Sequence, residues 1–189
     1  TFAVRNRYLA TDGESVVCTE VCRYTVAVIS QGHLFLAESA FTSEGSDFYF
    51  GDQEEMGLGI RLATPVAVKS GQGGRILDSE GRLNEAQIWG KQAKWCDYSG
   101  VIEGKRAGMS IMPAPDNFRV SWWHARDYGF VAANPFGVHA FTGGPASRIV
   151  VKEGETFRLR YAVLVHDGLE RTAEELQHVY ELVFSAKEG

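Results

Sequence analysis

Residues 156–166, which read TFRLRYAVLVH, alternate between apolar and polar side chains over most of their length. Successive side chains of a β-strand point to opposite faces, so the alternation predicts a strand with one covered and one exposed face. This pattern is typical of antiparallel sheets. The side chains predicted to face the core are Phe157, Leu159, Tyr161, Val163 and Val165, and those predicted to face solvent are Thr156, Arg158 and Arg160.

An antiparallel hairpin is predicted near the N-terminus. Residues 16–29 are rich in Val, Thr, Tyr and Cys, which favours a long strand. Gln31 and Gly32 then provide a turn, and residues 33–42 are suited to the returning strand.

Near the C-terminus, Thr172 and Glu175 have the spacing of a capping box and predict a helix that continues to about Phe184. Together with about ten predicted strands, this favours an all-β fold. We expect an antiparallel β-sandwich, jelly-roll or supersandwich-like, with one C-terminal helix. No repeat or boundary interrupts the sequence, so we expect a single domain over residues 1–189.

The composition narrows the classes of partner. The chain is 44% hydrophobic and 23% charged, as globular proteins are. Its net charge is −5 without a basic block, which argues against nucleic acid. No apolar run approaches the roughly 20 residues that span a bilayer. We therefore expect a soluble protein with no membrane insertion, and both the cytoplasm and the periplasm remain open.

Three cysteines are expected to be free thiols. Cys18 and Cys22 lie in one predicted strand, where four residues separate them by roughly 13 Å. A disulfide requires Cα atoms about 4.4–6.8 Å apart. Cys96 lies far along the chain, in a segment dense in Trp, Lys, Asp and Tyr.

Residues 121–129, SWWHARDYG, are the strongest candidate for a functional segment. In an extended chain Trp122, His124 and Arg126 share one face, and Trp123 takes the other. An imidazole between an aromatic ring and a fixed cation suits a polar ligand such as a sugar or a carboxylate. The alternative is a half-buried strand whose Trp and His residues simply find hydrogen-bond partners.

Residues 48–62 form the second informative segment. If its second half is a strand, Met56, Leu58 and Ile60 face the core. The opposite face carries Glu55, two glycines at positions 57 and 59, and Arg61. Glycines in a strand often mark a close approach. The approaching group is either a ligand or a neighbouring aromatic side chain.

Four motifs that occur in order along the chain resemble those of the bacterial PmoA-like group of unknown function, whose members are often labelled methane oxygenase. The matching segments are residues 51–61 (GDQEEMGLGIR), 89–91 (WGK) with 95–100 (WCDYSG), 122–129 (WWHARDYG) and 132–137 (AANPFG). The resemblance covers about residues 48–167.

The resemblance implies a soluble sandwich of a kind often found with sugar-oxidising or sugar-degrading enzymes. Members usually carry a further N-terminal region with a His-rich motif ahead of a Trp, and that motif is not in this sequence. The chain is therefore compatible with a fragment, in which a missing N-terminal segment or a partner chain completes the site.

These observations predict a protein that binds a small-molecule carbohydrate, either a sugar or an oxidised sugar derivative, and transforms it by acid/base chemistry. Epimerase, lyase and glycoside hydrolase reactions all fit, and we expect no cofactor and no metal. The predicted catalytic residues are Glu55, Asp97 and His124. The predicted substrate-binding residues are Arg61, Trp89, Lys91, Trp95, Tyr98, Trp122, Arg126 and Asn134.

Two other functions use the same residue types. A noncatalytic carbohydrate-binding module needs the aromatic side chains but no acid–base pair. Convergence of Glu55, Asp97 and His124 in one pocket would favour the enzyme, and scattered positions would favour the module. A metal site built from His124, His166 and carboxylates is a third interpretation, although no His-x-His or His-x-x-x-His spacing supports it.

Overall fold

The computed structural model of the protein describes residues 1–43 and 45–185. Strands predominate in these residues. The strands are β1 (Phe2–Leu9), β2 (Val16–Ile29), β3 (Gly32–Thr42), β4 (Phe48–Phe50), β5 (Leu58–Arg61), β6 (Arg75–Asp78), β7 (Cys96–Ile102), β8 (Lys105–Pro113), β9 (Trp122–Arg126), β10 (Phe130–Asn134), β11 (Ile149–Val151) and β12 (Thr156–Gly168). The helices are α1 (Asn84–Ile88), α2 (Val138–Thr142) and α3 (Ala173–Ser185).

The larger layer is an antiparallel sheet of seven strands in the order β1-β2-β3-β12-β8-β7-β6. The predicted N-terminal hairpin is confirmed: β2 and β3 pair along their length, with Ile29 opposite Gly32 at the turn. The final strand, β12, lies in the middle of the sheet between β3 and β8. It is therefore hydrogen-bonded along both edges.

The second layer consists of a three-stranded sheet, β5-β10-β9, and a two-stranded sheet, β11-β4. Apolar side chains from both layers form the main core. Its fully buried members include Ile76, Cys96, Tyr98 and Ile111 from the large sheet and Trp123, Ala125, Val131 and Ala133 from the three-stranded sheet. The fold is thus an all-β sandwich with a C-terminal helix, as predicted.

Strand β12 contributes to two cores. Phe157, Leu159 and Tyr161 pack in the core between the sheets, as the alternation predicts. Ala162 and Leu164, on the opposite face, are fully buried in a second core under α3.

The prediction that Val163 and Val165 face the core is wrong, because both are partly exposed and, unlike Phe157, neither packs against the main core. The alternation of the sequence assigns the side chains of β12 to two faces. It does not show that helix α3 covers the face that carries Arg158 and Arg160 earlier in the strand.

Helix α3 begins at the predicted capping box. The Thr172 amide donates to Oε2 of Glu175 at 2.8 Å, and the Glu175 amide donates to Oγ1 of Thr172 at 3.2 Å. Its buried face carries Leu176, Val179 and Tyr180, which pack on the outer face of the large sheet.

Helices α1 and α2 were not predicted. Each has five residues, which is little more than one turn, so neither shows the 3.6-residue periodicity that marks a helix in sequence. Helix α1 matters for function because it carries Glu85 towards β9.

The three cysteines, Cys18, Cys22 and Cys96, are buried free thiols, as predicted. Among the described residues, no helix has the length and apolar character required to cross a lipid bilayer.

Candidate functional site

The outer face of the three-stranded sheet carries the polar residues of β9. Strand β9 sends Trp123 and Ala125 into the core, so His124 and Arg126 face outward, as the sequence predicts. In the register of the sheet His124 lies opposite Ala132, which lies opposite Gly59. The two neighbours of His124 in this row are small, and the Phe130 ring packs over Gly59 and against the imidazole, with ring centroids 5.2 Å apart.

Glu54 and His124 form the centre of the site. Oε1 of Glu54 lies 3.2 Å from Nε2 of His124 and 2.6 Å from Nη2 of Arg126. The same oxygen accepts a hydrogen bond from Nε1 of Trp89 at 3.2 Å. These contacts fix the carboxylate, while the Glu54 side chain remains 37% exposed.

The hydrogen bonds define the protonation state of His124. Nε of Arg126 donates to Nε2 of His124 at 2.8 Å, so we assign the proton of the neutral ring to Nδ1, which is buried and has no hydrogen-bond partner among the described residues. A proton on Nε2 would point at Glu54 but would oppose the Arg126 donor. Burial lowers the pKa of His124 below its ordinary value, and Arg126 adds to this effect, whereas Glu54 opposes it. The ring is therefore neutral near pH 7.

Glu85 of α1 holds Arg126 from the other side. Its Oε1 lies 2.8 Å from Nη1 of Arg126, and its Oε2 accepts a hydrogen bond from the Asp127 amide at 2.9 Å. Desolvation alone would raise the pKa of Glu85, but the Asp127 amide and Arg126 outweigh it and lower that pKa. Arg126 is thus held between two carboxylates, and its orientation is fixed.

Asn134 positions the segment that carries Glu54. This residue is fully buried, and its Nδ2 donates to the carbonyl oxygens of Gln53 at 2.7 Å and Glu54 at 3.0 Å. Its Oδ1 accepts hydrogen bonds from the amides of Phe136 and Gly137. The prediction that Asn134 binds substrate directly is therefore wrong, because all these contacts are within the protein.

Backbone conformation and close packing explain why glycine occupies positions 57 and 59, near and within β5. Gly57 has a φ of 82°, and a β-carbon there would collide with the carbonyl oxygen of Ala133. A β-carbon at Gly59 would come within 3.1 Å of the Phe130 ring. The neighbouring aromatic side chain, rather than a ligand, is what approaches Gly59.

An open pocket of about 450 Å³ lies over this network. It is lined by Gln53, Glu54, Glu55, His124, Arg126 and Tyr128. Glu55 and His124, two of the predicted catalytic residues, therefore share one pocket. Predicted binding residues adjoin it: Arg126 lines it, Trp89 donates to Glu54, and Arg61 lies 5.4 Å from the Tyr128 ring.

Asp97, the third predicted catalytic residue, does not lie in this pocket. Its side chain is fully buried on the outer face of the large sheet, in the layer under α3, where its Oδ1 is bonded to Ser110 and His166, each at 2.7 Å. Asp97 alternates with Cys96 and Tyr98, which both face the main core, and so it must point away from that core. The catalytic assignment of Asp97 is therefore wrong.

Three aromatic side chains that were predicted to bind substrate do not line this pocket. Trp95 is buried, and its Nε1 donates to Gln177 of α3 at 2.9 Å. The hydroxyl of buried Tyr98 donates to the Asp127 carbonyl at 3.0 Å. Trp122 is 9% exposed and lies under the Arg119 guanidinium. Each of these large side chains supports the fold and does not line the pocket.

Lys91 is exposed, and it too is outside the set of residues that line the pocket. Its carbonyl accepts a hydrogen bond from the Trp123 amide at 2.9 Å, so the contribution of residue 91 here is to the backbone. The loop that contains residues 89–91 thus supports β9 and supplies Trp89.

The metal interpretation with His124 and His166 is not supported. His124 faces outward from the three-stranded sheet, whereas His166 is buried beside Asp97 under α3. Across residues 1–43 and 45–185, no group of three or more His, Cys, Asp or Glu side chains has an arrangement that could hold a metal ion.

Sequence reasoning missed two residues of the network. Glu54 is not among the predicted site residues, although it sits directly before Glu55 in an acidic pair. Glu85 belongs to the unpredicted helix α1, and it is 41 residues from its partner Arg126. No local pattern marks a contact over that separation.

Comparisons with known proteins identify the family but not an activity. No curated protein and no solved structure matches the chain significantly. The resemblance to the PmoA-like group stays a prediction. The profile of a family of unknown function, DUF6807, matches residues 1–181, which is almost the whole chain. The chain therefore belongs to the DUF6807 family.

Proposed function

We propose that the protein binds a sugar or an oxidised sugar derivative in the pocket over Glu54 and His124, and that it transforms this ligand by acid/base chemistry. The observation that carries the proposal is the position of the Glu54 carboxylate and the His124 imidazole beneath an open pocket, with Oε1 and Nε2 3.2 Å apart and both in contact with Arg126. Two titratable groups of different type, both oriented by one arginine, are what proton transfer to and from a bound ligand requires.

The geometry supports distinct roles for these groups. Oε1 of Glu54 accepts the contacts from Arg126 and Trp89, so Oε2 is the oxygen available to a ligand as a base. Nε2 is the unprotonated nitrogen of neutral His124 and accepts the hydrogen bond of Arg126, so His124 can take up the proton that Glu54 removes only when Arg126 turns away from this nitrogen. Glu55 lines the same pocket and is exposed, which suits a second acid or base at its rim.

Epimerisation, elimination and hydrolysis all use such a set. In the first two reactions the base removes a proton from carbon and leaves an enolate. Arg126 lines the pocket, and the N–H groups that it does not use for Glu54, Glu85 and His124 can donate hydrogen bonds to such an oxyanion. The same proposal includes the identity of the ligand as a carbohydrate. It also includes completion of the site by a further N-terminal segment or a partner chain.

The test combines binding with isotope exchange. Mono- and disaccharides, 3-keto sugars and sugar acids are screened by thermal shift against the wild type, Glu54→Gln and His124→Gln. His33→Ala, at an exposed residue of β3 in the other layer, is the matched control. Ligands that bind are then incubated in D₂O, and deuterium incorporation at carbon and glycoside cleavage are followed by NMR.

We expect a carbohydrate that stabilises the wild type and the His33→Ala variant, and whose conversion is lost in Glu54→Gln. A screen in which no carbohydrate stabilises the wild type would overturn the proposal. Stabilisation that both site variants retain in full would place the ligand elsewhere.

A noncatalytic binding module is the second candidate, and two observations favour it. Asp97 lies outside the pocket, so the three predicted catalytic residues do not converge. Oε1 of Glu54 is engaged by Arg126 and Trp89, as in an ion pair whose role is structural. In that case the wild type binds the carbohydrate but produces neither deuterium incorporation nor cleavage. The isotope experiment therefore separates the two functions.

A further inference from the structure

Two arginines adjoin the pocket, and their charges are balanced differently. Arg126 is paired with two carboxylates, those of Glu54 and Glu85, at 2.6 and 2.8 Å. Arg61, within residues 1–43 and 45–185, has no carboxylate close enough for an ion pair. The pocket therefore has one neutralised guanidinium and one whose charge is available to a ligand.

Aromatic rings hold Arg61 in place. Its guanidinium carbon lies 5.4 Å from the centre of the Tyr128 ring and 5.4 Å from that of Phe130. Within residues 1–43 and 45–185 the Arg61 guanidinium has these ring contacts but no hydrogen bond to a protein acceptor, so its N–H donors are available to a ligand. Such an arrangement presents a fork of donors to a planar anion.

The position of Arg61 relates it to the acid–base pair. In the register of the sheet Arg61 lies opposite Phe130, and Phe130 lies opposite Arg126. The two arginines are thus two strands apart, about 10 Å between their Cα atoms. Tyr128 lines the pocket and touches Arg61. A ligand over Glu54 and His124 can therefore extend an anionic group to Arg61.

Building on the proposed function, we propose that the ligand of this pocket is a sugar acid whose carboxylate binds Arg61. A carboxylate matches the guanidinium fork with two parallel hydrogen bonds. Glu54 and Glu55 line the same pocket, and their charges repel a dianionic phosphate more strongly than a singly charged carboxylate. The arginine thus selects an anion, and the glutamates favour the smaller charge.

Calorimetry with matched ligands tests this assignment. The probes are D-glucuronate and D-galacturonate, their neutral methyl esters, the parent hexoses and the hexose 6-phosphates. The variants are Arg61→Gln and Arg61→Lys. Arg148→Gln is the control, because Arg148 is also exposed and also lies over an aromatic ring, that of Tyr49 at 4.1 Å, on the separate two-stranded sheet.

We expect the wild type to bind at least one uronate about tenfold or more tightly than its methyl ester. A charge-assisted hydrogen bond of this kind contributes a gain in affinity of about that size. Arg61→Gln should lose that preference, Arg61→Lys should keep part of it, and Arg148→Gln should keep all of it. Thermal unfolding of each variant confirms that the fold is retained.

Other outcomes separate the two proposals. Equal affinity for uronates and their esters, with sugars still bound at the Glu54 pocket, would overturn the role of Arg61 and leave the proposed function standing. Preference for the hexose phosphates would overturn the choice of a carboxylate. If none of these probes binds while another carbohydrate of the wider screen does, the sugar-acid proposal fails and the proposed function stands; if no carbohydrate of either set binds, both proposals fail.

Discussion

The imidazole of His166 lies over Gly108, so that a β-carbon at position 108 would come within 2.7 Å of Cε1 of His166 and 2.6 Å of Cβ of Ser99. Gly108 and His166 are directly opposite each other on β8 and β12. The missing side chain of one residue thus provides the space for the ring of the other. That ring in turn reaches Asp97.

Gly108→Ala should therefore destabilise the protein by about 2–3 kcal/mol, since an added methyl group must displace a buried ring. The measurement is the midpoint of urea unfolding. Gly51→Ala is the control, because the nearest atom to a β-carbon there is 4.0 Å away. Equal stability of the two variants would contradict the close packing of His166 over Gly108.

Asp97→Ala should lower the free energy of unfolding by about 3 kcal/mol, because Ser110 and His166 lose a buried acceptor. Ligand affinity at the Glu54 pocket should not change, since Asp97 lies on the far face of the large sheet. Unfolding curves and calorimetry on the same sample check both statements. Loss of affinity in a variant that remains folded would restore Asp97 to the site.

Glu85→Gln should change the pH dependence of stability. The pKa of Glu85 is lowered from 4.5 in the folded protein, so its stabilising contribution is present above pH 4.5 and is lost as the pH falls through the folded pKa. At pH 7 the free energy of unfolding of the wild type should exceed that of the variant by about 1 kcal/mol. This difference should shrink below pH 4.5. Urea unfolding of both proteins at pH 7, 5 and 3.5 provides the comparison. A difference that grows on acidification would have the wrong sign.

His124 should titrate below its ordinary pKa of 6.5, with Nδ1 carrying the proton of the neutral ring. Imidazole NMR across the pH range reports both the pKa and the tautomer. Glu54→Gln removes the carboxylate that opposes the shift, so the pKa of His124 should fall further in that variant. Since the folded pKa is the lower one, the contribution of His124 to stability is lost as the pH falls through it. A rise of this pKa in Glu54→Gln would contradict the electrostatic account.

The sequence predicted what depends on neighbours along the chain. The two faces of β9, the hairpin of β2 and β3, and the Thr172–Glu175 cap all follow from local spacing. It did not predict which layer each face of a strand meets. Asp97 and Trp95 show this, because both were predicted to belong to the site, whereas both point to the helix rather than to the pocket.

The network around Arg126 shows a second reason. Glu54 and Glu85 are separated from Arg126 by 72 and 41 residues, and both lie outside regular strands. Pairing between distant segments is decided by how the layers stack, and strand periodicity carries no information about it. Buried Asn134, whose amide holds the Glu54 segment, is hidden from sequence for the same reason.

Strand β12 places the helix and the sandwich in one cooperative unit. Its residues 161 and 162 are buried on opposite faces, and both of its edges are hydrogen-bonded. Detaching α3 would uncover Ala162 and Leu164, so the helix cannot fray away as an independent appendage. Backbone amides around this position should therefore exchange with solvent only when the whole domain unfolds. A single unfolding transition should release the helix and both sheets together.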